Sequence, residues 1–269
     1  SGVTMKYIEI HGQTVAMAEF LPAQASSNPP WILIHGAGHD HGVWTELAQG
    51  LSAAGDHLIA PDLPGHVHSA GAPIADIAGM AAWVLALAEA LGHAQLRLCG
   101  HSMGSLVALA AAGMAPERVR QLALIGIALP MRVSPLLLDL AQNDPDQAYA
   151  LINKYSFAPA EVLGESRRQA LQAANLQRMQ QQGGATLASD LSACNAWQDG
   201  LSAAAQVRCP TVVISGELDQ MTPVDAVISL LDTLEKACGD TRMLVLAGSS
   251  HSIMQEVPEA LLEALREPS

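Results

Sequence analysis

Nine residues, Leu98-Cys99-Gly100-His101-Ser102-Met103-Gly104-Ser105-Leu106, constrain the fold of this chain more than any other stretch. An apolar, strand-like approach (Leu96, Leu98, Cys99) runs into Gly100, and the small residues from Ser105 to Ala115 read as a helix. Between them stands one hydroxyl with a glycine two positions to either side. A serine acts as a nucleophile when its Oγ stands at the tip of a sharp strand-to-helix turn, in a strained backbone conformation. Side chains two positions away would then collide with the adjoining strand and helix. The helix that follows turns its N-terminal amides toward the place where negative charge develops on a reacting carbonyl. A bare G-x-S-x-G recurs by chance, and it is the strand before and the helix after that give this one weight.

The rest of the chain keeps the same rhythm. Tyr7 to Ile10, the turn at His11-Gly12 and Thr14 to Phe20 read as an antiparallel hairpin. Wholly apolar Trp31 to Ile34 has the pattern of a strand buried on both faces, and it ends in the glycine-rich turn His35-Gly36-Ala37-Gly38-His39-Asp40-His41-Gly42. A helix from Trp44 to Ala54, a strand from His57 to Ala60, a helix from Ile74 to Leu91 and a strand from Leu96 to Cys99 lead into the serine turn. A strand from Arg120 to Gly126 follows its helix. Strand–helix alternation of this kind predicts an α/β fold, a mostly parallel sheet with helices on both faces. The alternation stops at Pro130. From 130 to 197 there are only helical segments: Ser134–Gln142, Asp146–Tyr155, Ala160–Gln182 (broken) and Ala185–Trp197. The run Gln177–Gln182 reads as a solvated helix end. Then the rhythm resumes with strand Thr211–Ser215, helix Val224–Ala237, strand Met243–Leu246 and helix Val257–Leu265. The expected organisation is a core of residues 1–129 and 198–269 with an all-helical cap insertion at 130–197.

Four aromatic residues fall in that insertion: Tyr149, Tyr155, Phe157 and Trp197. They either pack the cap onto the core or line a cavity beneath it, where binding pockets tend to occur.

Length and composition agree with one α/β domain plus an insertion: 269 residues, half of them hydrophobic and only 14% charged. A formal net charge of -13 argues against nucleic acid or an anionic membrane as partner. It also favours a neutral or cationic substrate over an anionic one. No uncharged apolar run approaches the ~18 residues of a membrane span. The N-terminal residues alternate in polarity rather than forming a leader, and Ser1-Gly2 reads as a cloning remnant. Cys99, Cys194, Cys209 and Cys238 have no paired spacing, which fits reduced thiols in a cytoplasmic protein. Oligomeric state is not legible.

A serine needs a base to take its proton, and the base needs a group that fixes its tautomer. On an open α/β sheet both belong on loops beyond the carboxyl ends of strands. Strand Thr211–Ser215 is followed by Gly216-Glu217-Leu218-Asp219, and strand Met243–Leu246 by Ala247-Gly248-Ser249-Ser250-His251. The order Ser102, Asp219, His251 is the acyl-transfer order on such a sheet. Glu217 is the fallback acid, while Asp225 and Asp232 read as helix surface charge. His101 adjoins the nucleophile and projects elsewhere, so it is not the base. His11, His57 and His93 read as solvent-facing. The oxyanion site needs two backbone amides, expected from Met103 and Ala37. Gly36, His101, Tyr155 and Trp197 are candidate substrate-binding residues.

The chain resembles the α/β-hydrolase superfamily over nearly its full length. The resemblance is carried by His35-Gly36 with Trp44 downstream, Asp62-Leu63-Pro64-Gly65-His66, Gly100-His101-Ser102-Met103-Gly104, Pro116-Glu117-Arg118-Val119, Gly216-Glu217-Leu218-Asp219 and Gly248-Ser249-Ser250-His251. The turn from His35 through Trp44 is also similar to that of plant methylesterases and the related hydroxynitrile lyases. Val67, where the family usually has glycine, is a departure expected to shift a loop. Ser105, where many members have a second glycine, is one expected to be tolerated at the helix start.

The resemblance implies a serine hydrolase acting on a small or medium carboxylic ester, a small-molecule substrate, with no cofactor. Carbon–carbon bond hydrolases and lyases with the same triad remain open, as does a non-hydrolytic ligand-binding member of the fold. The histidines and Asp40 at 35–41, with His66 and His68, are rich in metal-binding side chains. The stretch at 35–41 is already used by the oxyanion turn, so no metal is expected.

Overall fold

The computed structural model describes residues 3–266, so Ser1-Gly2 lies outside the described residues. Eight strands form one sheet: β1 (Val3–Ile10), β2 (Gln13–Phe20), β3 (Trp31–Ile34), β4 (Leu58–Pro61), β5 (Leu96–His101), β6 (Val119–Ile125), β7 (Thr211–Gly216) and β8 (Thr241–Leu246). Their spatial order is β1-β2-β4-β3-β5-β6-β7-β8. The hairpin β1–β2 and the pair β2–β4 are antiparallel, and every pair from β4 through β8 is parallel.

Around the sheet lie α1 (Thr45–Ala53), α2 (Ile77–Ala90), α3 (Met103–Met114), α9 (Gly200–Ala204), α10 (Ile228–Cys238), α11 (Ile253–Glu256) and α12 (Pro258–Arg266). Between β6 and β7 come α4 (Pro135–Asn143), α5 (Pro145–Ser156), α6 (Ala160–Leu163), α7 (Glu165–Gln182) and α8 (Gly184–Ala196), the all-helical cap. The break within 160–182 falls at Gly164, whose φ of 85° is open to glycine and costly to other residues.

Side-chain alternation sorts each central strand between two cores. In β3, Ile32 and Ile34 join the apolar layer under α2 and α3, while Trp31 and Leu33 join the layer under α1 and α12. All four residues are buried, as a strand covered on both faces requires. Helix α3 is buried along its whole first three turns, from Met103 to Ala112, so its alanine and glycine content is a packing requirement. Strand β3 has β4 on one side and β5 on the other, which makes the carboxyl end of β3 and β5 a switch point where ligands bind in such sheets. The loops after β3, β5, β7 and β8 all open there. No helix among the described residues is long and apolar enough to cross a membrane.

Candidate active site

Ser102 links β5 to α3 with φ 55° and ψ −117°, a conformation that costs a non-glycine residue about 1–3 kcal/mol and persists only where its surroundings impose it. Here they do. A Cβ on Gly100 would run into the carbonyl of Gly104, and one on Gly104 into the carbonyl of Ile34, so backbone meets backbone on both sides of the turn. The Ser102 amide donates to the Ile125 carbonyl at 2.9 Å, tying the turn to β6. Ser105 fits the helix start, as expected, because its hydroxyl donates to the Ser102 carbonyl.

Ser102 Oγ lies 3.0 Å from His251 Nε2, and His251 Nδ1 lies 2.8 Å from Asp219 Oδ2. The carboxylate requires the hydrogen on Nδ1, which leaves Nε2 as acceptor for the serine proton. His251 and Asp219 are both buried. Burial alone would raise the Asp219 pKa. The adjoining His251 and the hydrogen bonds from Thr222 outweigh it and bring the group down from 3.8 to about 2. Asp219 Oδ1 accepts the amides of Met221 (2.8 Å) and Thr222 (3.0 Å), and Oδ2 accepts the Thr222 hydroxyl at 2.7 Å. Thr222 escaped the sequence reading, although an Asp followed at the third position by Thr is a local turn pattern that could have exposed it. Glu217, the fallback acid, is turned away and accepts the Gly248 amide at 3.3 Å.

His101 is fully buried and donates from Nε2 to the His251 carbonyl at 2.7 Å, so it braces the loop that carries His251. Burial, reinforced by the neighbouring His251, pushes its pKa down to about 3, and it is neutral. The Met103 amide opens α3, and the Ala37 amide lies in the turn after β3. Among the described residues neither has an intramolecular acceptor.

A cavity of about 340 Å³ separates Ser102 and His251 from the cap. The turn contributes Gly36, Ala37 and His39, and the cap contributes Leu137, Ile152 and Tyr155 among other mainly apolar side chains. Two expected substrate-binding residues do not line it. His101 is sealed beneath the loop, and Trp197 points into the core layer under α2 and α3. Tyr149 and Phe157 are buried, Tyr149 in the cap's own core, so of the four cap aromatics Tyr155 alone faces the cavity. His57 is not simply solvent-facing either: its Nε2 meets Glu19 Oε2 at 2.8 Å.

The cap is joined to the turn at 35–42 by polar contacts that the sequence did not announce. Asp190 Oδ2 accepts the Gly38 amide at 2.9 Å and faces His66 Nε2 at 2.6 Å. His39 Nε2 meets Asn175 Oδ1 at 2.9 Å. Gln182, expected at a solvated helix end, accepts the Val67 amide (2.9 Å) and donates to the His39 carbonyl (2.8 Å). Val67 itself holds φ 39°, and its bond to Gln182 accompanies this left-handed conformation in a β-branched residue.

Asp40, His41 and Asp62 place one potential ligand atom each within 4.8 Å of one another. One oxygen of each carboxylate and the His41 ring nitrogen are already engaged. Asp62 Oδ1 accepts the backbone and ring N–H groups of His41, both at 2.8 Å, and Asp40 Oδ1 accepts the Gly42 amide at 2.7 Å with the Arg178 guanidinium 3.4 Å away. The cluster braces the turn.

Residues 29–256 match the family model of the alpha/beta hydrolase fold. The chain belongs to the α/β-hydrolase family. Within it, this α/β hydrolase is 31% identical over 224 residues, 74% of its length, to a pimeloyl-[acyl-carrier protein] methyl ester esterase of Aromatoleum aromaticum, covering 83% of that protein. It is 30% identical over 220 residues to a 2-hydroxymuconate semialdehyde hydrolase of Pseudomonas sp., a match covering 77% of this chain and 76% of that one. A shorter stretch of 100 residues, 37% of this chain, is 45% identical to the dihydrolipoyllysine-residue acetyltransferase component of the acetoin cleaving system of Pseudomonas putida. The hydrolase spans only 27% of that relative's length. Its relatives thus include an esterase and a hydrolase of a substrate named without an ester.

Proposed function

We propose that this α/β hydrolase is a serine esterase that cleaves a small or medium carboxylic ester through an acyl-enzyme, with residues 130–197 as the cap over its substrate. The observation that carries the reading is the unbroken relay from Ser102 Oγ through His251 to Asp219, opening on a cavity of about 340 Å³. That volume suits a small-molecule site. His251 Nε2 takes the Ser102 proton as Oγ attacks the ester carbonyl, and Asp219 stabilises the imidazolium that results. The amides of Met103 and Ala37 receive the oxyanion, with the N-terminal dipole of α3 behind them. His251 then protonates the departing alkoxide. Water, deprotonated by the same nitrogen, attacks the acyl group, and collapse of the second tetrahedral intermediate releases the acid and restores Ser102. These steps draw on no cofactor and no metal. Four unpaired cysteines, three of them buried, suit a reducing compartment, and we place the protein in the cytoplasm.

A second reading is favoured by the semialdehyde hydrolase relative: the same three residues would serve carbon–carbon cleavage. A series of p-nitrophenyl esters of increasing acyl length, run beside a vinylogous diketone, separates the two. The esterase reading expects turnover of the shorter esters and covalent labelling of Ser102 by a fluorophosphonate. Cleavage of the diketone with no ester turned over overturns it.

A further inference from the structure

Asp190 lies on α8, in the cap, and is fully buried. It takes no part in moving the serine proton, yet its Oδ2 receives the Gly38 amide at 2.9 Å, one residue beyond Ala37. A buried carboxylate persists only with partners that satisfy it. The other partner is His66, 2.6 Å away and equally buried. His66 Nδ1 lies 3.0 Å from the Pro64 carbonyl, so both ring nitrogens face acceptors and both carry hydrogen. Burial would lower the His66 pKa, and the facing Asp190 outweighs it and raises it. Its neighbour His35, with ring centroids 4.9 Å apart, is neutral: Nδ1–H donates to the Gly36 carbonyl and Nε2 accepts the Leu63 amide. Burial, and after it the positive His66, pushes His35 down to about 4. Asp62, the remaining nearby carboxylate, is bound to His41. Asp190 and His66 therefore face each other across the seam between core and cap, and the turn's backbone is fastened to the Asp190 side chain.

That fastening is directional. The turn closes on itself through the His39 amide and the Gly36 carbonyl at 3.2 Å, with Ala37 and Gly38 at its tip. Gly38 has φ 67°, a conformation open to glycine, and its N–H lies in the peptide plane that follows the Ala37 Cα. The plane that carries the Ala37 amide is held by its own Gly36 carbonyl, which also faces His35 Nδ1 at 2.8 Å, and Asp190 holds the plane on the other side of the Ala37 Cα from outside the core. We propose that Asp190 is a positioning residue for the oxyanion site: held against His66, it fixes Gly38 and so aims the Ala37 amide, which makes the seated cap a participant in transition-state stabilisation. The proposal rests on the serine-hydrolase reading above.

Asp190→Ala and the near-isosteric Asp190→Asn test it, with rates expressed per Ser102 titrated by fluorophosphonate so that only folded sites count. A mispositioned donor in an oxyanion site costs about 10- to 100-fold in rate. We expect that loss in kcat for Asp190→Ala, with KM within about threefold. Affinity for a trifluoromethyl ketone, whose adduct on Ser102 carries a charged oxygen, should fall in parallel. Asp190→Asn keeps one oxygen for the Gly38 amide but loses the charge facing His66. It should recover part of the rate, and it carries the test alone if the alanine variant does not fold, with a kcat loss of at least about fivefold. Unchanged kcat per titrated site, or kcat, KM and ketone affinity moving without the kcat-specific pattern, overturns the proposal while leaving the esterase reading intact. A wild-type chain that neither reacts with the phosphonate nor turns over any ester overturns both.

Discussion

The acid of the site is held largely by groups of its own loop, whereas the tip of the turn at 35–42 is held from the cap. Asp219 is fixed by the amides and hydroxyl of residues two and three positions on. The loop around His251 is fastened to Glu256, which accepts the Ser250 amide at 2.9 Å, and to the cap through the Ala158 amide on Glu256, the Ser250 hydroxyl on the Tyr155 carbonyl and the Ser252 amide on the Ser156 carbonyl. By contrast, the cap partners of Gly38 and His39 stand 136 to 152 residues away in sequence. Local hydrogen bonds form whenever their loop forms. The bonds from the tip of the turn to α7 and α8 exist only when cap and core are seated together, so the anchor of Asp219 is expected to be the sturdier element and the tip of the turn the one that responds to the cap.

The largest effect is expected at the nucleophile. Ser102→Ala should lower kcat by about 10⁴-fold or more, with the thermal transition unchanged or slightly raised, since it removes a reacting atom and no brace. Near-wild-type ester turnover in that variant would break the comparison at its base. Asp219→Asn should cost about 10³- to 10⁴-fold by leaving His251 in the wrong tautomer. The same residue carries a pH signature. Its folded pKa of about 2 lies below the ordinary 3.8, so the stability it contributes is present above pH 3.8 and is lost as pH falls through about 2. The difference in unfolding free energy between wild type and Asp219→Asn, followed by denaturant titration, should therefore shrink from pH 5 toward pH 2. Constancy over that range would contradict the lowered pKa of the Asp219 carboxyl.

Thr222→Val removes one of four hydrogen bonds to Asp219 and should cost about three- to tenfold in kcat, because the two backbone amides and His251 remain. The smallest expected effect is at the cap seam. Gln182→Ala gives up the bonds to Val67 and His39, which predicts a Tm lower by about 2–4 °C and a kcat loss within about fivefold. A loss at Gln182 larger than at Thr222 would reverse the order of sturdiness drawn above.

The sequence made the relay legible because each member ends a strand in a glycine-marked turn and the three come in a required order. Ser102, Asp219 and His251 needed no knowledge of distant contacts, and the strand rhythm gave the sheet for the same reason. The cap was legible only as helices. Its contacts with the core depend on which helix faces lie together, and neither composition nor period specifies that. Gln182 shows the cost: a glutamine in a polar run is indistinguishable from a solvated one until Val67 and His39 are brought beside it. Trp197 and His101 err in the opposite direction. Being an aromatic in the cap, or a neighbour of the nucleophile, says nothing about where a side chain points, and both point away from the cavity.

The contact between Gly104 and the Ile34 carbonyl has a wider bearing. It brings the start of α3 against the end of β3 main chain to main chain, so the spacing on that side of the site is set by missing atoms and is indifferent to the identity of nearly every side chain around it. Two glycine letters are all the sequence must preserve there, while the cavity walls are free to drift. A scaffold built this way can exchange its substrates without rebuilding its reaction centre.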